Sequence, residues 1–370
     1  MLKDDNREIA AKAAHCDMLI FAGPMTFGGH SPLVKRMADH LPQNALPFFE
    51  KVGGEIHHVK RYPSQPDFLA IAWQESPDPE EAEVFRRLTA RNANNFRPQH
   101  TTSIPLGSWQ DEASLGASLD DGLARLAKGK DPGPKAPTEA RHPCDLLPPR
   151  RALLLVGSPH GKQSTSHALG EHLLNQLSAK AVETRTVLLQ TAIASAERTA
   201  ELLAHVEDAD LVVLASPLYV DSLPSTTIEA LQRIAESRAG SFGRKRLMAI
   251  LNCRFPESFH NDVALSQCQI FARKAGMEWA GGLSLGGGQG MVSGRPLREI
   301  KAHARSAIQV LDQTAAHLAR GAALPPEVQK PWNRPLLPGW LYRLAGSFGW
   351  KSQARRWGVQ KELYRAPYAE

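Results

Sequence analysis

The sequence predicts an α/β fold, a doubly wound parallel five-stranded sheet of order 2-1-3-4-5, preceded by a partial unit of the same design. Three observations lead there. Short continuous apolar runs end in Gly, Ser or Pro turns, the pattern of strands covered on both faces. Segments with apolar residues three or four apart alternate with them, which implies helices and right-handed crossovers. One strand-and-turn pattern also occurs twice: Asp17-Met18-Leu19-Ile20-Phe21-Ala22-Gly23-Pro24 parallels Asp210-Leu211-Val212-Val213-Leu214-Ala215-Ser216-Pro217.

In chain order, the first of these runs is followed by a polar loop and a helix, then a strand at 68–73, a helix at 79–95, a strand at 101–106 and a helix at 111–126. No first strand with a Gly/Ser turn precedes them, so this unit begins at its third strand. In order 2-1-3-4-5 that bares an edge, and Leu19, Ile20 and Phe21 need cover from another domain, a second protomer or residues upstream of the start assigned here. Residues 128–150 hold six prolines and no apolar periodicity, as in an extended spacer. The central segment then presents strands at 152–156, 182–189 (an edge), 211–215, 247–253 and 279–285. Its helices fall around Leu169, Leu173 and Leu177, and at 224–236, 257–275 and 296–318. A second break at Ala323-Leu324-Pro325-Pro326 precedes the tail. The predicted domains are 1–127, a linker 128–150, 151–322 and a C-terminal arm 323–370.

Of the 370 residues 42% are hydrophobic and 22% charged, enough apolar content for a packed core and too much for a disordered chain. No stretch reaches the roughly 20 apolar residues of a membrane span, and the first eleven residues lack the apolar core of a signal peptide. Cys16, Cys144, Cys253 and Cys268 show neither CxxC pairing nor zinc-ligand spacing, which argues against a disulfide scaffold or structural zinc. A reducing cytoplasm is expected. The net charge of +6 resides in the tail: from Lys330 onward there are eight Lys or Arg against Glu362 and Glu370, leaving 36 basic and 36 acidic residues in the rest. A neutral body gives no footprint for nucleic acid. The tail also holds Trp332, Trp340, Trp350 and Trp357 among its arginines. Two readings of it stand: a helical arm packed on the body or a neighbouring subunit, and peripheral contact with a membrane.

The chemistry-bearing stretch is Gly157-Ser158-Pro159-His160-Gly161-Lys162-Gln163-Ser164-Thr165-Ser166, between the first strand and first helix of the central domain. Such a turn lies at the carboxyl end of the strands, where helix N–H groups and hydroxyls favour an anion. It fails the P-loop template, since three residues separate the glycines and Gln163 follows the lysine, and no dinucleotide fingerprint occurs. A monophosphate ligand is the expectation; an ordinary helix cap is the alternative. Pro217-Leu218-Tyr219 turns the chain out over the same end, with Tyr219 either on a ligand or capping the core. Gly286-Gly287-Gly288-Gln289-Gly290 is a flexible connection or a place of close approach to a planar ligand. Near the N-terminus, His57 and His58 diverge in extended backbone with no third ligand, so no metal is expected.

These residues resemble the flavodoxin-like NAD(P)H-dependent FMN reductases and iron-sulfur flavoproteins. The first loop of that family commonly reads Gly-Ser-Pro-Arg, then Ser-Asn-Ser; here stand Gly157-Ser158-Pro159-His160 and Ser164-Thr165-Ser166. Ser216-Pro217-Leu218-Tyr219-Val220-Asp221-Ser222, Asn252-Cys253-Arg254-Phe255-Pro256-Glu257 and Gly281 to Gly288 look like later family loops. Gly23 to His30 occupies the place of a ring-contacting loop, Gly53 to His58 and Arg61-Tyr62 look like family segments, and 350–367 resembles the end of some relatives. The resemblance spans about 150–320. It implies a flavodoxin-like fold and FMN, with its phosphate on Ser158, His160, Ser164, Thr165 and Ser166. Its ring would lie between Pro217, Leu218, Tyr219 and Val220 and the later Gly286, Gly287 and Gly288. It further implies NAD(P)H as donor, a small-molecule electron acceptor and a homo-oligomer, and it names no catalytic residue. It carries over no iron-sulfur cysteine cluster. Two positions depart from the pattern: His160 replaces an arginine, and Val220 stands where some relatives stack an aromatic. A one-electron carrier and a non-enzymatic flavodoxin-like scaffold are the alternatives.

Overall fold

The computed structural model describes residues 5–131, 133, 147–241, 245–292, 294–300, 304–329, 332, 335 and 337–368. The interior of the proline-rich linker, with Cys144, and the tail residues Lys330 and Arg334 lie outside the described residues. Two compact units emerge: Met1–Lys135 together with Leu337–Glu370, and Ala136–Leu336.

The first unit opens with α1 (Asn6–His15), β1 (Met18–Thr26), β2 (Gly29–His30) and α2 (Pro32–His40). A hairpin of β3 (Ala45–Val52) and β4 (Glu55–Lys60) follows, then β5 (Asp67–Gln74), α3 (Pro79–Phe96), β6 (Thr101–Gly107) and α4 (Glu112–Ala127). β1, β5 and β6 run parallel in the sheet order β2-β1-β5-β6, with Ile20 opposite Leu69 and Ile71 opposite Ile104. The start of α3 is set locally: the Asp78 side chain accepts from Glu81 N at 3.1 Å, and Pro79 fills the first helical position. Phe21, Phe68 and Phe85 form the core under α2 and α3, and the Phe21 and Phe68 rings meet edge-on at 5.2 Å. On the opposite face Met18, Ile20 and Trp73 are exposed.

One element is new here and one expectation is corrected. The hairpin at 45–60 has a two-glycine turn, Gly53 and Gly54, with φ of 59° and 99°. Gly23 to His30 is not an open loop but the end of β1, folded back on β2 through Phe27 and Gly28 (φ 54° and 74°). His30 is buried, edge-on to Phe21 at 5.2 Å and to Phe85 at 5.6 Å, and burial, with help from Lys35, lowers its pKa to about 3. It is a neutral core residue. His57 Nδ1 meets Asn95 Oδ1 at 2.9 Å while His58 Nδ1 meets Leu46 O at 3.0 Å, so the adjacent imidazoles do diverge.

The second unit has the flavodoxin-like sheet, order β11-β10-β9-β7-β8 and parallel throughout. Its elements are β7 (Arg151–Val156), α5 (Thr165–Ser178), β8 (Glu183–Leu188), α6 (Leu189–Ala192), α7 (Ala196–Asp208), β9 (Leu211–Pro217), α8 (Ser225–Ser237), β10 (Arg246–Asn252), α9 (Asp262–Lys274), β11 (Glu278–Leu285), α10 (Gly288–Val292), α11 (Arg305–Ala319) and α12 (Pro326–Gln329). Numbered along this unit the strand order is 2-1-3-4-5. Leu154, Val213, Ile250 and Leu283 pack under Leu169 and Leu173 of α5 and Val310 and Leu311 of α11. α5 lies close on the strands because residue 170 is glycine: a Cβ there would stand 2.5 Å from a Leu154 methyl. The helix expected at 257–275 starts only at Asp262, after a 3-10 turn over Ser258–Asn261. The one expected at 296–318 starts at Arg305.

The arm drawn from residue 323 divides between the units. Leu324 N donates to Ala280 O at 3.0 Å, and Leu324, Val328 and Trp332 join the core of the second unit. From Leu337 the chain belongs to the first unit. There α13 (Gly339–Arg356) packs on β3, with Tyr342 and Phe49 rings 5.3 Å apart. Beyond it, Tyr364 stacks on Phe48 at 4.8 Å and Tyr368 N donates to Tyr62 Oη at 3.3 Å.

Candidate functional site

The carboxyl ends of β7, β9, β10 and β11 bring four loops together. The first leaves β7 at Gly157, where no side chain fits: a Cβ would lie 2.5 Å from Thr227 Oγ1, which instead donates to Gly157 O at 2.8 Å. Ser158 is buried and organises the turn, its carbonyl accepting from Gly161 N (3.0 Å) and its hydroxyl from His160 N (3.3 Å). His160 is exposed at the apex. Ser164 is the N-cap of α5; its hydroxyl accepts from His167 N at 3.1 Å and donates to Gly161 O at 2.7 Å. Ser166 accepts from Asn252 Nδ2 at 2.8 Å.

Three of the four loop hydroxyls are thus engaged by the protein, although the sequence offered all of them to a ligand. The exception is Thr165, whose hydroxyl has no hydrogen-bond partner among the described residues. The N–H groups of Thr165 and Ser166 open a 14-residue helix in its first turn, where the helix itself supplies no acceptor. Donors and helix dipole together suit an anion.

Asn252 is not among the site residues the sequence predicts, although it opens a family-like stretch. It follows the apolar run Leu247 to Leu251 at the end of a buried strand, and that polar residue was the available signal. Besides Ser166 it donates to Ser216 O at 3.1 Å, and its own carbonyl accepts from Leu218 N at 2.9 Å. One side chain therefore ties the ends of β9 and β10 to the start of α5.

The second loop closes as a two-residue turn: Tyr219 N donates to Ser222 O (2.9 Å) and Ser222 N to Tyr219 O (3.1 Å). Val220 and Asp221, at φ 46° and 58°, both take the left-handed conformation. For β-branched Val220 this is strain, of the kind that persists where surrounding structure over-determines it. Pro217, Leu218 and Tyr219 remain partly accessible.

The glycines after β11 are corrected in one respect. Their close approach is to the protein's own chain: a Cβ at Gly286 would collide with the Pro256 carbonyl oxygen. Gly287 N donates to Phe255 O at 2.7 Å and Gly288 N to Cys253 O at 3.1 Å, so these N–H groups already have acceptors. Gly288 does reach the first loop, since a Cβ there would be 3.1 Å from Asn252 Cβ and 3.4 Å from Thr165 Cγ2. Thr165, Asn252 and Gly288 form one cluster. Beside it, burial pushes the Cys253 thiol up to about 12, which leaves it protonated and poorly nucleophilic. His260, fully buried, lies between the Phe255 and Phe259 rings (4.8 and 5.0 Å) with Nε2 3.4 Å from Glu257 Oε2.

FMN fits these residues at its charged end, where Thr165 and the first turn of α5 provide uncommitted donors. In the first unit the equivalent of the β9 loop is the closed turn at Phe27 and Gly28, with no counterpart of the β7–α5 loop among the described residues.

No curated protein matches the chain at a significant level. Among solved structures, an FMN-dependent NADH-azoreductase from Bacillus anthracis str. Ames Ancestor in complex with FMN is 15% identical over 46% of this chain and 99% of its own, with a TM-score of 0.37. A flavodoxin from Streptococcus pneumonia TIGR4 is 13% identical over 46% of this chain and 97% of its own (TM-score 0.32). An NADH:FMN oxidoreductase in its apo form is 13% identical over 51% and 96% (TM-score 0.35). Likenesses this remote say nothing of the chemistry. The stretch from the start of β7 to the loop after β10, residues 150–254, matches the family model described as NADPH-dependent FMN reductase, and it contains the β7–α5 loop, the turn at Val220 and Asn252.

Proposed function

We propose that the second unit binds FMN at the carboxyl ends of β7, β9, β10 and β11 and serves as an NAD(P)H-dependent oxidoreductase that delivers electrons to a small-molecule acceptor. The observation that carries this is the uncommitted Thr165 hydroxyl and first-turn N–H groups of α5, gathered with Asn252 and Gly288 inside the stretch that matches the family model. When bound, FMN would supply the redox chemistry, accepting a hydride from NAD(P)H and releasing electrons onward. Thr165 and the α5 N-terminus hold the phosphate. Ser158 and Ser164 keep the loop in shape, and Asn252 fixes its distance from the β9 loop. Pro217, Leu218, Tyr219 and Val220 border the ring. His160, exposed, meets the ligand from the solvent side. No acid–base residue is required, and the neutral Cys253 thiol offers none. A homo-oligomer in a reducing cytoplasm, where Cys253 and Cys268 stay as buried thiols, completes the reading.

The absorbance of the purified protein, before and after reconstitution with FMN, tests the site. NAD(P)H consumption with a benzoquinone acceptor tests the activity. Flavin bands and steady turnover are expected. A colourless protein that takes up no added FMN would refute the site, and bound FMN without turnover would leave an electron carrier.

A further inference from the structure

The C-terminal helix α13 has apolar residues on two sides. One side lies on β3, where Tyr342 meets Phe49 and Gly346 allows the Phe49 ring to approach. The other side carries Trp340, Leu344 and Phe348, four residues apart and so aligned along one stripe. These are 60%, 61% and 76% exposed, and Trp357 just beyond the helix is 75% exposed. Large apolar side chains that open to water in a contiguous row mark an interaction surface. From Leu337 to Lys361 the chain contains Arg343, Lys351, Arg355, Arg356 and Lys361 and no Asp or Glu.

We infer that this stripe is a docking surface for an anionic lipid bilayer, with Trp340, Leu344 and Phe348 entering the headgroup region while the flanking arginines and lysines engage acidic headgroups. Charge chooses the occupant. A second copy applying the same face about a two-fold axis would set these cations against themselves, with no carboxylate in the segment to offset them. A bilayer with acidic lipids is complementary, each basic side chain near its surface adding to the attraction. Tryptophan and phenylalanine beside arginine and lysine are the side chains an interfacial helix uses. The helix need not leave β3 to bind, because the stripe already faces outward. It lies on the membrane rather than through it: among the described residues no helix is long and apolar enough to cross. The inference stands apart from flavin binding, since α13 belongs to the first unit.

The test is sedimentation of the full-length protein with vesicles of phosphatidylcholine, with and without phosphatidylglycerol. Binding to the mixed vesicles, weakening with salt, and little binding to phosphatidylcholine alone are expected. The paired variant Leu344→Glu/Phe348→Glu should weaken binding by roughly tenfold or more while circular dichroism is unchanged, because both side chains are exposed. Arg355→Glu/Arg356→Glu should weaken it through charge alone and flatten the salt dependence. Equal sedimentation of wild type and the Leu344/Phe348 variant would overturn the inference. So would a lipid-free dimer, seen by light scattering, that the same variant abolishes; the stripe would then be a protein interface.

Discussion

Adjacent hydroxyls at the start of α5 have different fates. Ser164 caps the helix, so Ser164→Ala should lower stability by about 1 kcal/mol in chemical denaturation while changing FMN affinity less. Thr165 has its hydroxyl in hand for a ligand. Thr165→Ala should therefore weaken FMN by about 1 kcal/mol in a fluorescence titration and leave the denaturation midpoint nearly unchanged. Reversal of that pattern would move the phosphate elsewhere. His30 sets a pH dependence in the first unit. Its folded pKa, about 3, lies well below the unfolded value near 6.5, so the unfolded chain takes up a proton that the folded core refuses. The stabilisation is complete above pH of about 6.5 and is lost as the pH falls toward about 3, at up to ~1.4 kcal/mol per pH unit. Urea midpoints measured across that range should show this slope, and His30→Phe should remove its share.

At the level of elements, legibility in the sequence tracked burial on two sides. The run Leu211-Val212-Val213-Leu214-Ala215 could only be a covered strand, and the structure places it at the centre of the sheet. The turn from β7 into α5 was equally plain, because glycine and cap-forming serines have local causes. α7 is different: only Leu202 and Val206 of its thirteen residues are buried, so its apolar signal is faint. The β3–β4 hairpin hid behind Pro47 and the paired histidines. The engagement of Gly287 and Gly288 was illegible in principle, since their acceptors are carbonyls in a loop some thirty residues earlier, brought in by β10 and β11 lying side by side. That crossing gives a prediction for the loop pair. Gly286→Ala drives a methyl into the Pro256 carbonyl and should cost on the order of 1–3 kcal/mol in stability. Because Gly288 touches Asn252 and Thr165, the same variant should also weaken FMN in titration; full affinity would detach the third loop from the site.

Across the whole molecule, two cores held by separate sheets imply two unfolding events. The ligand proposed here belongs to one of them. In calorimetry, FMN at about a hundred times its dissociation constant should stabilise one transition by about 2.7 kcal/mol and leave the other in place. A uniform shift of both would show that the units melt as one. The charge distribution divides the same way, with the neutral body carrying the loops proposed to hold FMN and the positive segment confined to α13 and its surroundings.

The return of the chain at Leu337 has a consequence for biosynthesis. Phe48, Phe49 and Tyr62 leave the ribosome well before the aromatic partners that cover them, Tyr342, Tyr364 and Tyr368, which follow the whole of the second unit in the chain. The intervening Ala136–Leu336 can complete its own sheet while the first part of the polypeptide still waits for its lid. A premature stop just ahead of Leu337 would therefore injure the first unit and spare the second.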